Sequence, residues 1–200
     1  MGWWRAVLGR PSPAPSHCEQ LAGLVSASAR LQHARGYLPT GEAAIAIAAP
    51  LAAEVKSSVA AAMTAADLAG ESASQTITTA LESDEYGYAW LVVTTHPPDA
   101  TTVVTALQRG VGALATAGML DVALCIVVSY RDQQGHPLGI IYRFAEKNFY
   151  PFVPVLGVGT DSEPQRDNLT ELMVRELVSE LALERDVSRW YPLWNAPGMR

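Results

Sequence analysis

Three β-rich runs in the second half of the chain lie so close together that only short turns can join them. They span residues 122–130, 138–145 and 149–155, and the linkers between them are 131–137 and 146–148. A parallel connection needs a crossover of a dozen residues or more, whereas a hairpin needs only a few. The sequence therefore predicts an antiparallel meander against which the remaining elements must pack.

Hydrophobic periodicity predicts those other elements, because apolar residues recur at helical spacing in some segments and alternate in others. The predicted helices span 17–34, 50–68, 99–117 and 168–181, and the further predicted strands span 43–49, 75–81 and 87–95. The order α-β-α-β-β-α-β-β-β-α indicates an α+β fold with a mainly antiparallel sheet and helices packed on it. We expect the strands 87–95, 122–131, 138–145 and 149–155 to share one sheet.

Two details of this prediction can be checked residue by residue. Asn168 and Glu171 have the spacing of a helix cap, and the residues expected on the buried face of the last helix are Leu169, Leu172, Met173, Leu177 and Leu181. The strongest β patterns predict core positions for Tyr88, Trp90, Cys125, Val127 and Ile141. The second cysteine, Cys18, falls in a predicted helix, and neither cysteine has a redox or metal-ligand spacing.

Composition limits the class of protein. With 49% hydrophobic and 17% charged residues, a chain of 200 residues can bury one sizeable core. The net charge of −6 and the scattered lysines and arginines argue against nucleic acid as a partner. No apolar run approaches the length of a membrane span, and no secretion signal is recognisable, so we expect a cytoplasmic protein.

The first fifteen residues are set apart from the rest. Pro11, Pro13 and Pro15 make a stiff connector, which predicts an N-terminal tip and connector at 1–15 followed by a single α+β domain at 16–200. The residues of the tip that could dock on a membrane interface or a partner are Trp3, Trp4, Arg5, Val7, Leu8 and Arg10. Alternatively, the tip folds back on its own domain.

A second unusual group is aromatic and rich in proline. It comprises Phe149, Tyr150, Phe152, Trp190, Tyr191 and Trp194. Prolines place both stretches at sheet edges or chain ends. Trp190 and Trp194 could staple the C-terminus onto the sheet, or the group could form an exposed partner surface.

No motif anchors catalysis. The four histidines fall at predicted helix ends and in turns, and nucleophile elbows, zinc pairs and calcium loops are absent from the sequence. We therefore expect no metal and no cofactor. Catalytic groups can nevertheless assemble from distant positions, so an enzyme with a non-contiguous site, such as a hydrolase, remains the alternative.

Several blocks together resemble a known family over nearly the whole chain. They are Met-Gly at 1–2, Leu-Gly-Arg at 8–10, Tyr-Leu-Pro-Thr-Gly at 37–41, Asp-Glu-Tyr-Gly-Tyr-Ala-Trp-Leu-Val-Val at 84–93, Phe-Tyr-Pro-Phe at 149–152, Arg-Asp-Asn at 166–168 and the ending at 190–198. In order and spacing they resemble PspAB, the actinobacterial family associated with phage-shock protein A. The alanine-rich stretch 45–70 follows the pattern less closely.

The resemblance implies a role rather than a reaction. It implies a non-catalytic adaptor or regulatory binding protein of the PspA envelope-stress system, with PspA itself or an HtpX-like membrane protease as partner. Peripheral contact with the inner membrane face is part of this expectation. The element order is also loosely similar to secretion chaperones, which bind proteins, although that is an analogy of fold alone.

Overall fold

A computed structural model describes residues 14–48, 57, 61, 70–71, 75–84, 87–155 and 165–199. The helices of this part are α1 (Ala14–Arg35), α2 (Ala100–Thr116) and α3 (Asn168–Leu177). The strands are β1 (Leu38–Ile47), β2 (Gly70–Glu71), β3 (Thr76–Ser83), β4 (Ala89–His96), β5 (Ala123–Arg131), β6 (Pro137–Arg143) and β7 (Asn148–Phe152). Short 3-10 helices occur at Leu120–Val122 and Val187–Arg189.

The seven described strands form one sheet in the order β2-β3-β4-β1-β5-β6-β7, and each pairing is antiparallel. Strand β1 lies in the middle, between the β3–β4 hairpin and the β5–β6–β7 meander. This confirms the α+β class, the meander and the shared sheet. Of the predicted helix 50–68, only residues 57 and 61 are described, and both are helical.

Helices α1 and α2 cover one face of the sheet and bury the larger core. Its members include Leu21, Leu24, Leu31, Ile45, Leu91, Leu107, Leu114, Ile126, Ile140 and Phe149. Two buried hydrogen bonds join α1 to the meander across this core. His17 Nδ1 lies 2.8 Å from the Tyr142 hydroxyl, and Ser28 Oγ lies 2.7 Å from the Tyr130 hydroxyl.

Helix α2 begins and ends as its sequence predicts. Asp99 is the N-cap, and its carboxylate accepts a hydrogen bond from the Thr102 amide at 2.7 Å. Just beyond the helix, Gly118 has a φ of +69°, the left-handed conformation that favours glycine after a helix end. The predicted helix 99–117 is confirmed.

One predicted core residue is wrong. Trp90, Cys125, Val127 and Ile141 are buried, but Tyr88 is 43% exposed. Tyr88 lies outside the strand, and its amide donates to Asp84 Oδ1 at 2.9 Å. Strand β4 therefore starts at Ala89, one residue after Tyr88.

The prediction for the last helix is also wrong in three respects. Asp167, not Asn168, is the N-cap and accepts from the Thr170 amide at 2.9 Å. The helix ends at Leu177 instead of 181. Its buried residues are Glu171 and Val174, whereas Leu169 and Leu172 are 68% and 38% exposed.

The rotation of α3 has an electrostatic cause. Glu171 points inward because its carboxylate binds the side chain of Arg166 and the amide of Val153. A pattern of hydrophobic residues does not register such a pair, so it placed the exposed Leu169 and Leu172 in the core. Met173 and Leu177 of the same prediction are partly buried, and Leu177 packs against the larger core. Leu181, beyond the helix, is buried as expected.

Candidate functional site

The second face of the sheet is covered by the C-terminal segment, residues 187–199. Together they form a smaller core of Ala44, Ala46, Trp90, Val92, Cys125, Val127, Ile141, Tyr150, Phe152, Trp190, Ala196 and Met199. Trp190 stacks on Tyr150 with ring centroids 6.3 Å apart, and Trp194 meets Phe152 edge-on at 5.0 Å. The two tryptophans thus staple the C-terminal segment onto the sheet.

Three consecutive carbonyl groups of the C-terminal segment accept hydrogen bonds from the sheet side. Arg143 Nη1 lies 3.4 Å from the carbonyl oxygen of Arg189, and Arg166 Nη1 lies 2.6 Å from that of Trp190. The Tyr150 hydroxyl donates to the carbonyl of Tyr191 at 2.9 Å. These bonds hold a segment that lacks strand pairing of its own.

Each of the two arginines is held in turn by a buried carboxylate. Arg143 Nη2 lies 2.5 Å from Glu184 Oε2, and Arg166 Nη2 lies 2.6 Å from Glu171 Oε2. The guanidinium groups also lie over aromatic rings, Arg143 over Tyr150 and Arg166 over Phe152, each 5.7 Å from the ring centroid. Charge pairing and ring contact together fix the direction of both arginines.

Several groups of this network hold the Glu184 carboxylate in its charged form. The backbone N–H of Asp186 contributes most to lowering its pKa to about 2, and hydrogen bonds from Arg143 and Asn148 and the charge of Arg189 add to this. Burial acts in the opposite direction. Glu184 is thus charged at neutral pH and bridges the meander to the C-terminal segment.

The aromatic residues singled out in the sequence are mostly interior. Phe149, Tyr150, Phe152 and Trp190 are each at most 2% exposed, and Trp194 is half-buried. Only Tyr191 of the group is well exposed, at 58%. A partner surface built from all six would require the C-terminal segment to leave the sheet. The tip residues Trp3, Trp4, Arg5, Val7, Leu8 and Arg10 lie outside the described residues.

One edge of the sheet is closed by the chain itself. Along β7, the Phe149 amide donates to Ala182 and the Phe149 carbonyl accepts from Glu184, both at 2.8 Å. Further along, Pro151 has no N–H, and the Val153 amide donates to Glu171 Oε1 at 2.9 Å. No extended partner can add a strand at this edge.

The opposite edge of the sheet is formed by β2 and β3. Strand β2 pairs only with Thr76 and Ile77 of β3, and within the described residues no strand pairs with the outer side of residues 78–83. Thr78, Ala80 and Glu82 on this stretch are exposed. The sequence of β3 contains neither the lysine nor the proline that commonly protects an edge from pairing with another chain.

A polar cavity of about 320 Å³ lies beyond the C-terminal end of α1. It is lined by Arg35, Tyr37, Asp132, His136, Val153, Pro154, Val155, Asp167 and Thr170. Burial raises the pKa of Tyr37, and the negative charges of Asp132 and Asp167 raise it further against the effect of Arg35. Sequence periodicity gave no sign of this convergence, because its members come from four separate segments.

Both carboxylates of the polar cavity have structural roles. Burial alone would raise the pKa of Asp132, but hydrogen bonds from the side chain and backbone of His136 and from Gln134 hold it low. The pKa of Asp167 is lowered first by the hydroxyl and amide of Thr170, which it caps. Neither serine, cysteine nor lysine is among the described lining residues. The part of the chain seen here also lacks a cluster of three metal-ligating side chains.

Comparison with known protein families gives a match over nearly the whole chain. The family model PspAB, described as PspA associated protein B, matches residues 1–198. The chain belongs to the PspAB family. The description links the family to PspA and so to the phage-shock response. No curated protein and no solved structure matches the chain significantly.

Membership of PspAB confirms the resemblance carried by the sequence blocks, including those at 37–41 and 190–198. Its description names an association and no reaction. None of the helices in the described ranges is long and apolar enough to cross a membrane.

Proposed function

We propose that this PspAB chain is a non-catalytic adaptor that binds a PspA-type protein through the open edge of β3. The observation that carries the proposal is that, among the residues the structure describes, no strand pairs with the outer side of 78–83, whereas the other edge of the sheet is closed. An extended segment of a partner can add to such an edge as a further strand, with backbone hydrogen bonds supplying affinity. Exposed side chains on β3 would then supply specificity.

The cavity chemistry favours binding over catalysis. A hydrolase needs either a side-chain nucleophile with an adjacent base, or a water activated by a metal or by a carboxylate that is free to accept its proton. In the polar cavity, the only aliphatic hydroxyl among the described lining residues is that of Thr170, and it donates to Asp167 Oδ2 at 2.6 Å. That hydroxyl is engaged by Asp167, and both carboxylates of the cavity hold structural hydrogen bonds, which supports a binding role for this part of the molecule.

Location and further contacts complete the proposal. The adaptor works in the cytoplasm beside the inner membrane, where the tip at 3–10 supplies peripheral contact. An HtpX-like membrane protease is the second partner. The apolar and basic residues of the tip support this, since two tryptophans and two arginines suit the boundary between lipid headgroups and water.

A pair of threonine substitutions tests the binding edge. Thr78→Lys places a charge beside the open edge, and we expect it to weaken binding of the purified PspA-type protein from the same host at least about tenfold. Thr105→Lys makes the same change at an exposed site of α2 and should leave affinity unchanged. Calorimetric titration would measure both variants.

Circular dichroism should show that both variants are folded, and Ala80→Lys provides a second position on the edge. Equal affinities for the Thr78 and Thr105 variants would contradict the edge as binding site. Failure of the wild-type chain to bind the PspA-type protein at all would contradict the adaptor function.

A further inference from the structure

We propose that the polar cavity binds an alkylguanidinium or alkylammonium group, the chemistry of an arginine or lysine side chain. The adaptor function does not require this cavity, so the inference goes beyond it. The proposal combines an unpartnered hydroxyl, an excess of negative charge and an apolar wall, each of which is observed separately.

The unpartnered hydroxyl belongs to Tyr37. The residue is only 5% exposed, and its ring belongs to the larger core, yet it also lines the cavity. Within the described part of the chain, its hydroxyl forms no hydrogen bond. Because Tyr37 lines the cavity, its hydroxyl oxygen keeps acceptor positions that a ligand N–H can fill.

The charge of the cavity favours a cation. The hydrogen bonds described above hold the pKa values of Asp132 and Asp167 low, so both favour the charged form. Among the described lining residues Arg35 is the one permanent cation, and His136 adds positive charge when it is protonated. Asp132 Oδ2 accepts one hydrogen bond, from His136 Nδ1 at 2.9 Å, and Asp167 Oδ2 accepts one, from Thr170. Since a carboxylate oxygen can accept two, each keeps an acceptor position for a ligand N–H.

The apolar wall suits the stem of such a ligand. Val153, Pro154 and Val155 line the cavity together with its charged groups. Basic side chains bury their methylene groups against apolar surface while the charged end remains among polar groups. The cavity volume of about 320 Å³ is at the lower end of the range for ligand sites, which fits one side chain or one small amine.

The direct test is a titration of the isotope-labelled full chain with N-acetyl-arginine methylamide, followed by nuclear magnetic resonance. We expect saturable shifts confined to residues lining the cavity, with millimolar affinity. Agmatine carries the same guanidinium group as a free small molecule. Comparing its affinity with that of the arginine compound shows whether the cavity prefers a small molecule or a peptide side chain. N-acetyl-norleucine methylamide and inorganic phosphate test an uncharged stem and an anion.

Substitutions that preserve the fold then locate the site. Asn can keep the turn made by Asp132 and the cap made by Asp167, so the double variant Asp132→Asn, Asp167→Asn removes charge alone. We expect it to weaken arginine binding at least about tenfold. Tyr37→Phe should weaken it roughly threefold to tenfold, as for one neutral hydrogen bond.

Asp186→Asn is the matched control, because Asp186 also caps a helical turn but does not line the cavity. It should leave affinity unchanged. The inference would be overturned if phosphate or the norleucine compound bound as tightly as the arginine compound, if the Asp186 variant weakened binding equally, or if no cavity signal shifted. Each of these results is independent of whether the PspA-type protein binds at β3.

Discussion

Arg166 and Glu171 form an ion pair whose carboxylate is completely buried, with Nη2 lying 2.6 Å from Oε2 and Nε lying 3.0 Å from Oε1. The same pair reaches two other parts of the molecule. Glu171 Oε1 accepts the Val153 amide just after β7, and Arg166 Nη1 donates to the Trp190 carbonyl. Helix α3, the closed sheet edge and the C-terminal segment therefore depend on one interaction.

Removal of Arg166 should destabilise the protein strongly. Arg166→Ala leaves the Glu171 carboxylate buried without its counter-charge, and breaking such a pair costs about 3–5 kcal/mol of unfolding free energy. Arg175→Ala is the control, because its pair with Glu176 is solvent-exposed and should contribute no more than about 0.5 kcal/mol. Urea unfolding followed by circular dichroism measures both. Similar losses of unfolding free energy for the two variants would show that the buried pair stabilises the fold no more than the exposed pair does.

The stabilising effect of Glu184 should depend on pH. Its pKa in the folded protein is about 2, below the ordinary value of 4.5, so the folded state favours the charged carboxylate. Its contribution is therefore present above pH 4.5 and is lost as the pH falls through about 2. Glu184→Gln should reduce the unfolding free energy at pH 7, and the difference from wild type should shrink between pH 5 and pH 3. A difference independent of pH would contradict this assignment.

The corrected orientation of α3 predicts opposite effects for neighbouring apolar residues. Val174 is 1% exposed, so Val174→Ala should lower the unfolding free energy by about 2 kcal/mol. Leu169 is 68% exposed, and Leu169→Ala should change it by less than about 0.5 kcal/mol. Thermal unfolding compares the two variants directly. The reverse ranking would restore the helix face predicted from the sequence.

The N-terminal tip should act in docking and not in stability. Deletion of residues 1–10 is expected to leave the melting temperature nearly unchanged, because the prolines at 11 and 13 predict that these residues are set apart from the domain. The same deletion should abolish co-sedimentation with anionic vesicles, whereas binding of the PspA-type protein, which we assign to β3, should persist. If it lowers the melting temperature by several degrees, and the intact protein never co-sediments, then the tip is a structural staple.

Local patterns in the sequence predicted most of the described fold. Short linkers required the β5–β6–β7 meander, and Asp99 with Gly118 marked both ends of α2. These predictions are correct because turn length, helix capping and backbone conformation depend on residues that are near in the sequence. The prediction for Tyr88 was wrong because its amide is hydrogen-bonded to Asp84, and β4 starts at Ala89, two residues later than the predicted start at 87.

The features that hold the second face together could not be predicted in this way. Arg143 and Glu184 are 41 residues apart, and no periodicity connects them. The polar cavity likewise brings Tyr37 and Asp132 together from distant segments. Such contacts arise only once the sheet has formed. The sequence could therefore suggest that Trp190 and Trp194 staple the C-terminus, but it could not show which groups form hydrogen bonds with that segment.

Hydrogen–deuterium exchange of the full chain, with and without the PspA-type protein, tests the central claim most directly. If the partner adds a strand to the open edge, the backbone amides of β3 that point outward within 78–83 should become strongly protected in the complex. Amides of α2, on the covered face, should change little. Protection confined to α3 or to the C-terminal segment, with β3 unchanged, would contradict binding at the open edge.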